Sequence, residues 1–300
     1  MPKNKSLTRQ VYEVIGAKLR IGGQKHLDKQ QGTSSESIYS WNTNKTYISK
    51  CVAFVKWAKE KYSCRTLEQA RSYVNAYLQH YIDNGYSPST QSTIKSSLAK
   101  LYGCSSTEFI KTQPRRRMDI IRSRQGKALA RFSEKRNQEF VDFCRATGLR
   151  RHEIENLRAE HVQYNNTTKQ YYITGLKGKG GRLRECPILS KEAVGRILNT
   201  QLGQKVWPVV PANADVHSYR ADYCAIIYER YARPISDIPK QDRYYCRNDL
   251  KGVIYDKRAM AVASRFLGHN RIDVIAKSYL YHVAERQLEQ LAKLKDEVRV

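Results

Sequence analysis

The chain has 300 residues, 54 of them Lys or Arg against 28 Asp or Glu, for a formal net charge of +26. That length allows one large domain or two ordinary ones, two being the better fit, and the excess positive charge runs through the whole sequence, which implies a polyanionic partner, nucleic acid before anionic lipid. Apolar runs are too short to span a bilayer and nothing behind Met1-Pro2-Lys3 resembles a signal peptide, so a cytoplasmic protein with no membrane partner is expected. The seven cysteines stand singly with no C-x-x-C pair, which argues against a disulfide framework or a zinc site, and no metal or cofactor is expected.

Residues 1–40 read as a basic N-terminal segment. From 42 to 61, Tyr47, Ile48, Cys51, Val52, Phe54, Val55 and Ala58 recur at three- and four-residue steps among lysines, the pattern of an amphipathic helix. A second helix is predicted from Thr66 through Tyr81, with Glu68 and Gln69 in its first turn and Asn84-Gly85 as its stop. Ser87-Pro88 starts a third, which runs through Ile94, Leu98 and Leu101 to Gly103. Residues 41–110 therefore form a helical domain. The stretch 111–128, with Pro114 and Arg115-Arg116-Arg117, reads as a basic linker, either a solvated connector or a segment that crosses a phosphate backbone.

The second domain spans 129–300. A helix through Phe140, Val141, Phe143 and Cys144 ends at Gly148, and Glu153, Ile154 and Leu157 lie on the next one. Tyr171-Tyr172-Ile173-Thr174 and the run 182–188 are short strands around Lys177-Gly178-Lys179-Gly180-Gly181, a hairpin with a basic, glycine-rich tip. Helical patterning returns at 191–198, 218–231, 257–267 and 283–298, with a short helix at 271–278. Residues 232–256, rich in turn and strand formers, read as an inserted segment, which either contacts DNA or a neighbouring subunit or is a structural excursion. The fold class is mainly α with a small β-sheet or hairpin, a helical N-terminal domain preceding a mixed α+β domain.

Five groups in the second domain suit attack on a phosphodiester. Arg150 and Arg220 offer guanidinium forks that match non-bridging phosphate oxygens, His217 and His269 can move a proton near neutral pH, and Tyr279 can act as a covalent nucleophile. Each alone has an ordinary alternative. Arg150 and Glu153 at i, i+3 make a common surface pair, His217 neighbours a helix cap, His269 could be a core histidine, the basic hairpin could simply be exposed, and Tyr279 is one of 21 tyrosines. Their joint occurrence in order favours one shared site.

The series Thr147-Gly148-Leu149-Arg150-x-x-Glu153, Gly178-Lys179-Gly180-Gly181-Arg182, His217-x-x-Arg220, Leu267-Gly268-His269 and then Tyr279 resembles the tyrosine recombinase family of phage and mobile-element integrases and Xer-type resolvases. The resemblance covers residues 130 to 285 and, more loosely, the helical residues 40 to 105, which are similar to the family's core-binding domain. It implies that Arg150 and Arg220 clamp the scissile phosphate while Glu153 holds Arg150. Lys179 would protonate the departing 5′ oxygen, His217 would accept the tyrosine's proton, and His269 would sit beside the phosphate. Tyr279 would be the nucleophile.

The resemblance further implies an integrase that joins DNA through a 3′-phosphotyrosyl intermediate. Its partners would be double-stranded DNA with inverted-repeat core sites, further copies of itself in a homotetramer, and a directionality factor or DNA-bending protein, all at the nucleoid of a prokaryote or phage. Arg115, Arg116, Arg117, Lys177 and Arg182 are the candidate DNA contacts. A Xer-type resolvase, a type IB topoisomerase and an inactive DNA-binding regulator are the alternatives. The flanks of Arg220, Tyr219 and Ala221-Asp222, depart from the family's usual residues, and the interval from Arg220 to His269 is long. Tyr281 competes with Tyr279, since a two-residue shift turns a helical side chain by about 200°. The last helix, with Val283, Leu288 and Leu291, packs either on its own core or on an adjacent protomer.

Overall fold

The computed structural model describes residues 5–33, 36–116, 120, 132–178 and 181–297, with side chains up to residue 292. The chain divides into two compact units, Met1–Arg115 and Arg116–Val300.

Among its described residues the first unit is helical: α1 (Leu7–Ala17), α2 (Lys25–Gln30), α3 (Trp41–Tyr62), α4 (Leu67–Arg71), α5 (Val74–Asp83) and α6 (Pro88–Tyr102). The apolar stripe of α3 buries Cys51, Phe54, Val55 and Ala58 against Ile94 and Leu98 of α6 and Leu78 of α5. Side-chain caps at Ser40 and Ser87 start α3 and α6, and Gly103, at φ 62°, ends α6 in the left-handed conformation that glycine adopts without a Cβ penalty. Two features differ from the sequence reading. The basic segment 1–40 contains α1, whose Leu7, Val11 and Ile15, spaced four apart, are buried in this same core. The single helix expected from Thr66 is two, with a corner at Tyr73 (φ −101°, ψ 6°). There the Tyr73 ring lies flat on Tyr62 at the end of α3, centroids 3.7 Å apart, a tertiary contact that overrides local propensity.

The second unit contains α7 (Gln138–Thr147), α8 (Arg151–Ile154), β1 (Val162–Asn165), β2 (Gln170–Lys177), β3 (Leu183–Pro187), α9 (Lys191–Leu198) and α10 (Val216–Tyr231). It continues with β4 (Arg243–Tyr245), β5 (Ile254–Asp256), α11 (Lys257–Phe266), α12 (Asp273–Ser278) and α13 (Tyr281–Glu297). Strands β1, β2 and β3 form an antiparallel sheet in that order, and β4 pairs with β5. The fold is thus mainly helical with a small sheet. β1, which pairs Val162 with Ile173, has no strong alternation of its own in the sequence.

The segment 232–256 is packed into this unit rather than looped off it. Leu250, Val253 and Tyr255 join the main core, and Asp256 accepts two hydrogen bonds from the Arg233 guanidinium, at 2.7 and 2.8 Å. The start of α13 also packs on its own unit. Val283 and Ala284 are buried, and the Gln287 amide both donates to and accepts from the Ile254 backbone on β5, each at 3.0 Å. None of the described helices is long and apolar enough to cross a membrane.

Candidate active site

The turn after α7 places the first arginine. Gly148 takes φ 58°, and a Cβ there would run into the Tyr223 ring, so the chain can reverse at this point only with glycine. The reversal leaves Arg150 at the N-terminus of α8, where Glu153 reaches back to it. The carboxylate accepts from the Arg150 backbone N–H at 2.8 Å and from its Nη1 at 2.7 Å. Glu153 is fully buried, so this is no surface pair.

The second arginine comes from α10, which Asp215 caps by accepting from the Ser218 N–H. His217 lies in the first turn and Arg220 three residues on, so both project from one side of the helix. Arg220 is only 1% exposed. Its Nη1 donates to the Gly148 carbonyl and its Nη2 to the Leu267 carbonyl, which also accepts from Arg150 Nη2 at 3.5 Å. One backbone oxygen thus ties the two guanidiniums together. The unusual flanks of Arg220 have a packing role. Tyr219 donates to Glu134 at 2.9 Å, and Asp222 accepts from Arg145 of α7 at 3.0 Å, with the Arg145 guanidinium over the Tyr219 ring.

Tyr279 closes the set. Helix α12 ends at Ser278, and Tyr279 leaves it at φ −129° with its side chain buried. Its Oη accepts from Arg220 Nε at 3.3 Å and lies 3.2 Å from His269 Nε2. The His217 and His269 rings flank the phenol ring, centroids at 5.1 and 5.4 Å. The helix break falls between Tyr279 and Tyr281. Tyr281 begins α13 and lines a neighbouring cleft of about 240 Å³ with Asp215, His217 and Lys277. The break is held from β5, where Tyr255 Oη donates to the Leu280 carbonyl at 3.0 Å.

The hairpin of β2 and β3 approaches the same turn. Arg182 donates to Asn270 Oδ1, and Arg265 pairs with Glu185 at 3.2 Å. Lys177 is exposed. Lys179, expected at the hairpin tip, lies outside the described residues, as does Arg117. Of the other two linker arginines, Arg116 is exposed and Arg115 borders a groove of the first unit lined by hydroxyl groups of α3 and α6. Arg184, in the strand run 182–188 but not among the candidate site residues, is buried with its Nε 3.5 Å from Glu153. The parity of β3 carried the signal: Arg184 shares its face with buried Cys186, whereas Leu183 and Glu185 point outward.

These contacts set the charge states. Burial alone would push the Glu153 carboxyl up, but the Arg184 guanidinium, the Arg150 backbone N–H and the Arg220 and Arg150 guanidiniums outweigh it and hold the group below the ordinary carboxylate range. Burial, followed by the charges of Arg220, Arg150, Arg184 and Arg182, lowers His269 to about 4. At neutral pH this imidazole is uncharged and can accept a proton. Burial and the neighbouring Arg184 bring Arg220 down to about 10, which leaves it a cation. Among the described residues no group of three or more His, Cys, Asp or Glu is arranged to hold a metal ion.

No protein-family model matches the chain, and no curated protein matches it. Among solved structures it is similar to the Tn1549 transposon integrase in complex with transposon right-end DNA, at 12% identity and a TM-score of 0.43, over 96% of this chain and 100% of that one. The same integrase with circular-intermediate DNA gives 11% identity and a TM-score of 0.45, with the same coverage. The XerA recombinase is 14% identical with a TM-score of 0.32, over 94% of this chain and 98% of that one.

Proposed function

We propose that the chain is a tyrosine-type site-specific DNA recombinase, the integrase of a mobile element, which cleaves and rejoins duplex DNA through a 3′-phosphotyrosyl intermediate without metal or ATP. What carries this proposal is the meeting at Tyr279 Oη of a buried guanidinium and a neutral imidazole, with a second guanidinium tied to the same backbone carbonyl. Tyr279 Oη attacks the phosphorus and passes its proton to His269 Nε2. The bond from phosphorus to the 5′ oxygen breaks, and that oxygen takes a proton from Lys179, the role the family resemblance gives this residue. Arg150 and Arg220 stabilise the negative charge that builds on the non-bridging oxygens. Attack by a different 5′ hydroxyl on the phosphotyrosine reverses these steps and frees the phenol, so the bond energy is conserved.

The family pattern gives the tyrosine's proton to His217 and sets His269 beside the phosphate. The 3.2 Å contact of His269 Nε2 with the phenol favours the reverse allocation, with His217 beside the phosphate one turn before Arg220. The partner in this proposal is double-stranded DNA with inverted-repeat core sites, gripped through Arg115, Arg116, Arg117, Lys177 and Arg182 and synapsed by a homotetramer. A directionality factor or DNA-bending protein would assist. The net charge of +26 supports the polyanionic partner.

The test uses nicked duplex oligonucleotides tiling the DNA that flanks the gene, so that cleavage traps the protein on DNA. A covalent adduct should form, vanish in Tyr279→Phe and persist in Tyr281→Phe. No adduct from the unaltered protein on any duplex would leave a DNA-binding regulator. Exchange between two sites on one plasmid distinguishes a recombinase from a topoisomerase, which would only relax supercoils.

A further inference from the structure

Arg184 is among the largest fully buried side chains of the protein, and none of its three guanidinium nitrogens has a hydrogen-bond partner among the described residues. Its one close anion among the described residues is Glu153, at 3.5 Å. A buried charge with so few partners costs several kcal/mol, and an apolar side chain of similar volume would fill the space more cheaply. Packing is therefore a poor account of this residue.

Two glycines let the backbone come close to Arg184 and to its carboxylate. A Cβ on Gly268 would lie 2.7 Å from Arg184 Nη1, and a Cβ on Gly178 would lie 3.5 Å from its Cδ and 2.7 Å from Glu153 Oε1. The hairpin at Gly178 thus closes on the ion pair of Glu153 and Arg184, and the turn before His269 closes on the Arg184 guanidinium. Around Glu153 the count of charges is uneven, with Arg150 at 2.7 Å, Arg184 at 3.5 Å and Arg220 at 3.9 Å against one carboxylate. With only Arg150 and Arg220 present, Glu153 would cancel half of the positive charge that is free to meet a phosphate. A third, inward cation restores it.

We propose that Arg184 is a positioning residue of the cleavage site, the buried counter-ion of Glu153, which lets this carboxylate hold Arg150 without cancelling the charge that a phosphodiester meets. Arg184 itself does not touch DNA. The inference rests on the proposed cleavage reaction, and it also bears on His269, which Tyr279, Arg220, Arg150, Arg182 and Arg184 face among the described residues. Removal of the Arg184 charge therefore raises the pH at which His269 takes up a proton.

The experiment measures adduct formation against pH for the unaltered protein, Arg184→Met and Arg184→Lys on the same nicked duplexes, together with DNA affinity by gel shift and a thermal melt. Arg184→Met should cleave on the order of 10²-fold more slowly, as expected when reacting groups shift by about an ångström. Its affinity should be unchanged and its acid limb should move to higher pH. Arg184→Lys, which keeps the charge but loses the fork, should restore the acid limb and recover part of the rate. Unaltered rates and acid limbs in both variants would overturn the role while leaving the cleavage reaction intact. If Arg184→Met does not fold, Arg184→Gln, which also removes the charge, takes its place: an unaltered rate and acid limb overturn the proposal, and a slower rate at constant affinity with an acid limb at higher pH supports it. Absence of any adduct from the unaltered protein overturns the cleavage reaction and this role with it.

Discussion

Replacing Glu153 by glutamine removes a single negative charge from a place that solvent does not reach and where three guanidiniums converge. At 2.7, 3.5 and 3.9 Å, and with an effective dielectric constant of ~20, the attractions to Arg150, Arg184 and Arg220 are roughly 6, 5 and 4 kcal/mol gross. Most of that offsets the desolvation of the four ions and the repulsion among the cations. Deleting one partner of such a cluster costs about 3–5 kcal/mol net, because the others stay buried without compensation. At 2–4 °C per kcal/mol for a domain of this size, the melting temperature of the second unit should fall by about 6–20 °C at pH 7. Scanning calorimetry on the full chain measures this directly. The folded-state pKa of Glu153 lies below its ordinary value of 4.5, so its contribution is fully present above that value and is lost as the pH falls through the folded pKa. The gap between the two proteins should therefore narrow below about pH 4.5. A drop smaller than about 3 °C at pH 7, or a gap that widens in acid, would refute the view of Glu153 as the anion that holds the site together.

The remaining predictions probe other parts of the site. With His269 at about 4 in the folded protein and 6.5 unfolded, the unfolded chain takes up the proton first, so stability should decline as the pH falls from 6.5 towards 4; His269→Gln should lack this component in pH-dependent melts. For the same reason cleavage should retain its rate well below pH 6, and an acid limb centred near 6.5 would contradict a neutral, arginine-surrounded imidazole. Gly148→Ala should cost about 2–4 kcal/mol in urea denaturation, from the left-handed φ of 58° and the overlap with Tyr223. Tyr255→Phe, which deletes the hydrogen bond to Leu280, should destabilise by about 1 kcal/mol and slow cleavage without weakening DNA binding; unchanged cleavage would show that the break before α13 holds itself.

The chemical groups of the site were legible because each follows a local signal. Gly148 marks the turn before Arg150, the three-residue step puts His217 and Arg220 on one side of α10, and Gly268 ends α11 ahead of His269. The resemblance then set them in order. Less visible was what depends on distant partners. The resemblance favours Tyr279 over Tyr281, but where each side chain lies depends on the end of α12, held in part by Tyr255 on a strand formed by the segment read as an insertion. Arg184 was hidden because hydropathy points the wrong way at β3, where an arginine is buried beside an exposed leucine. The corner at Tyr73 depends on a ring from α3, and no window along the second helix contains it. Backbone acceptors such as the Leu267 carbonyl carry no side-chain signature at all.

That carbonyl has a consequence for how mutations combine. Because it accepts from both Arg150 and Arg220 and immediately precedes Gly268-His269, the positions of two cations and one imidazole are not independent variables. Substitutions at Arg150 and Arg220 share this acceptor, so their energetic effects should depart from simple addition by about 0.5–3 kcal/mol. The worth of either arginine to the fold is therefore defined only in the presence of the other.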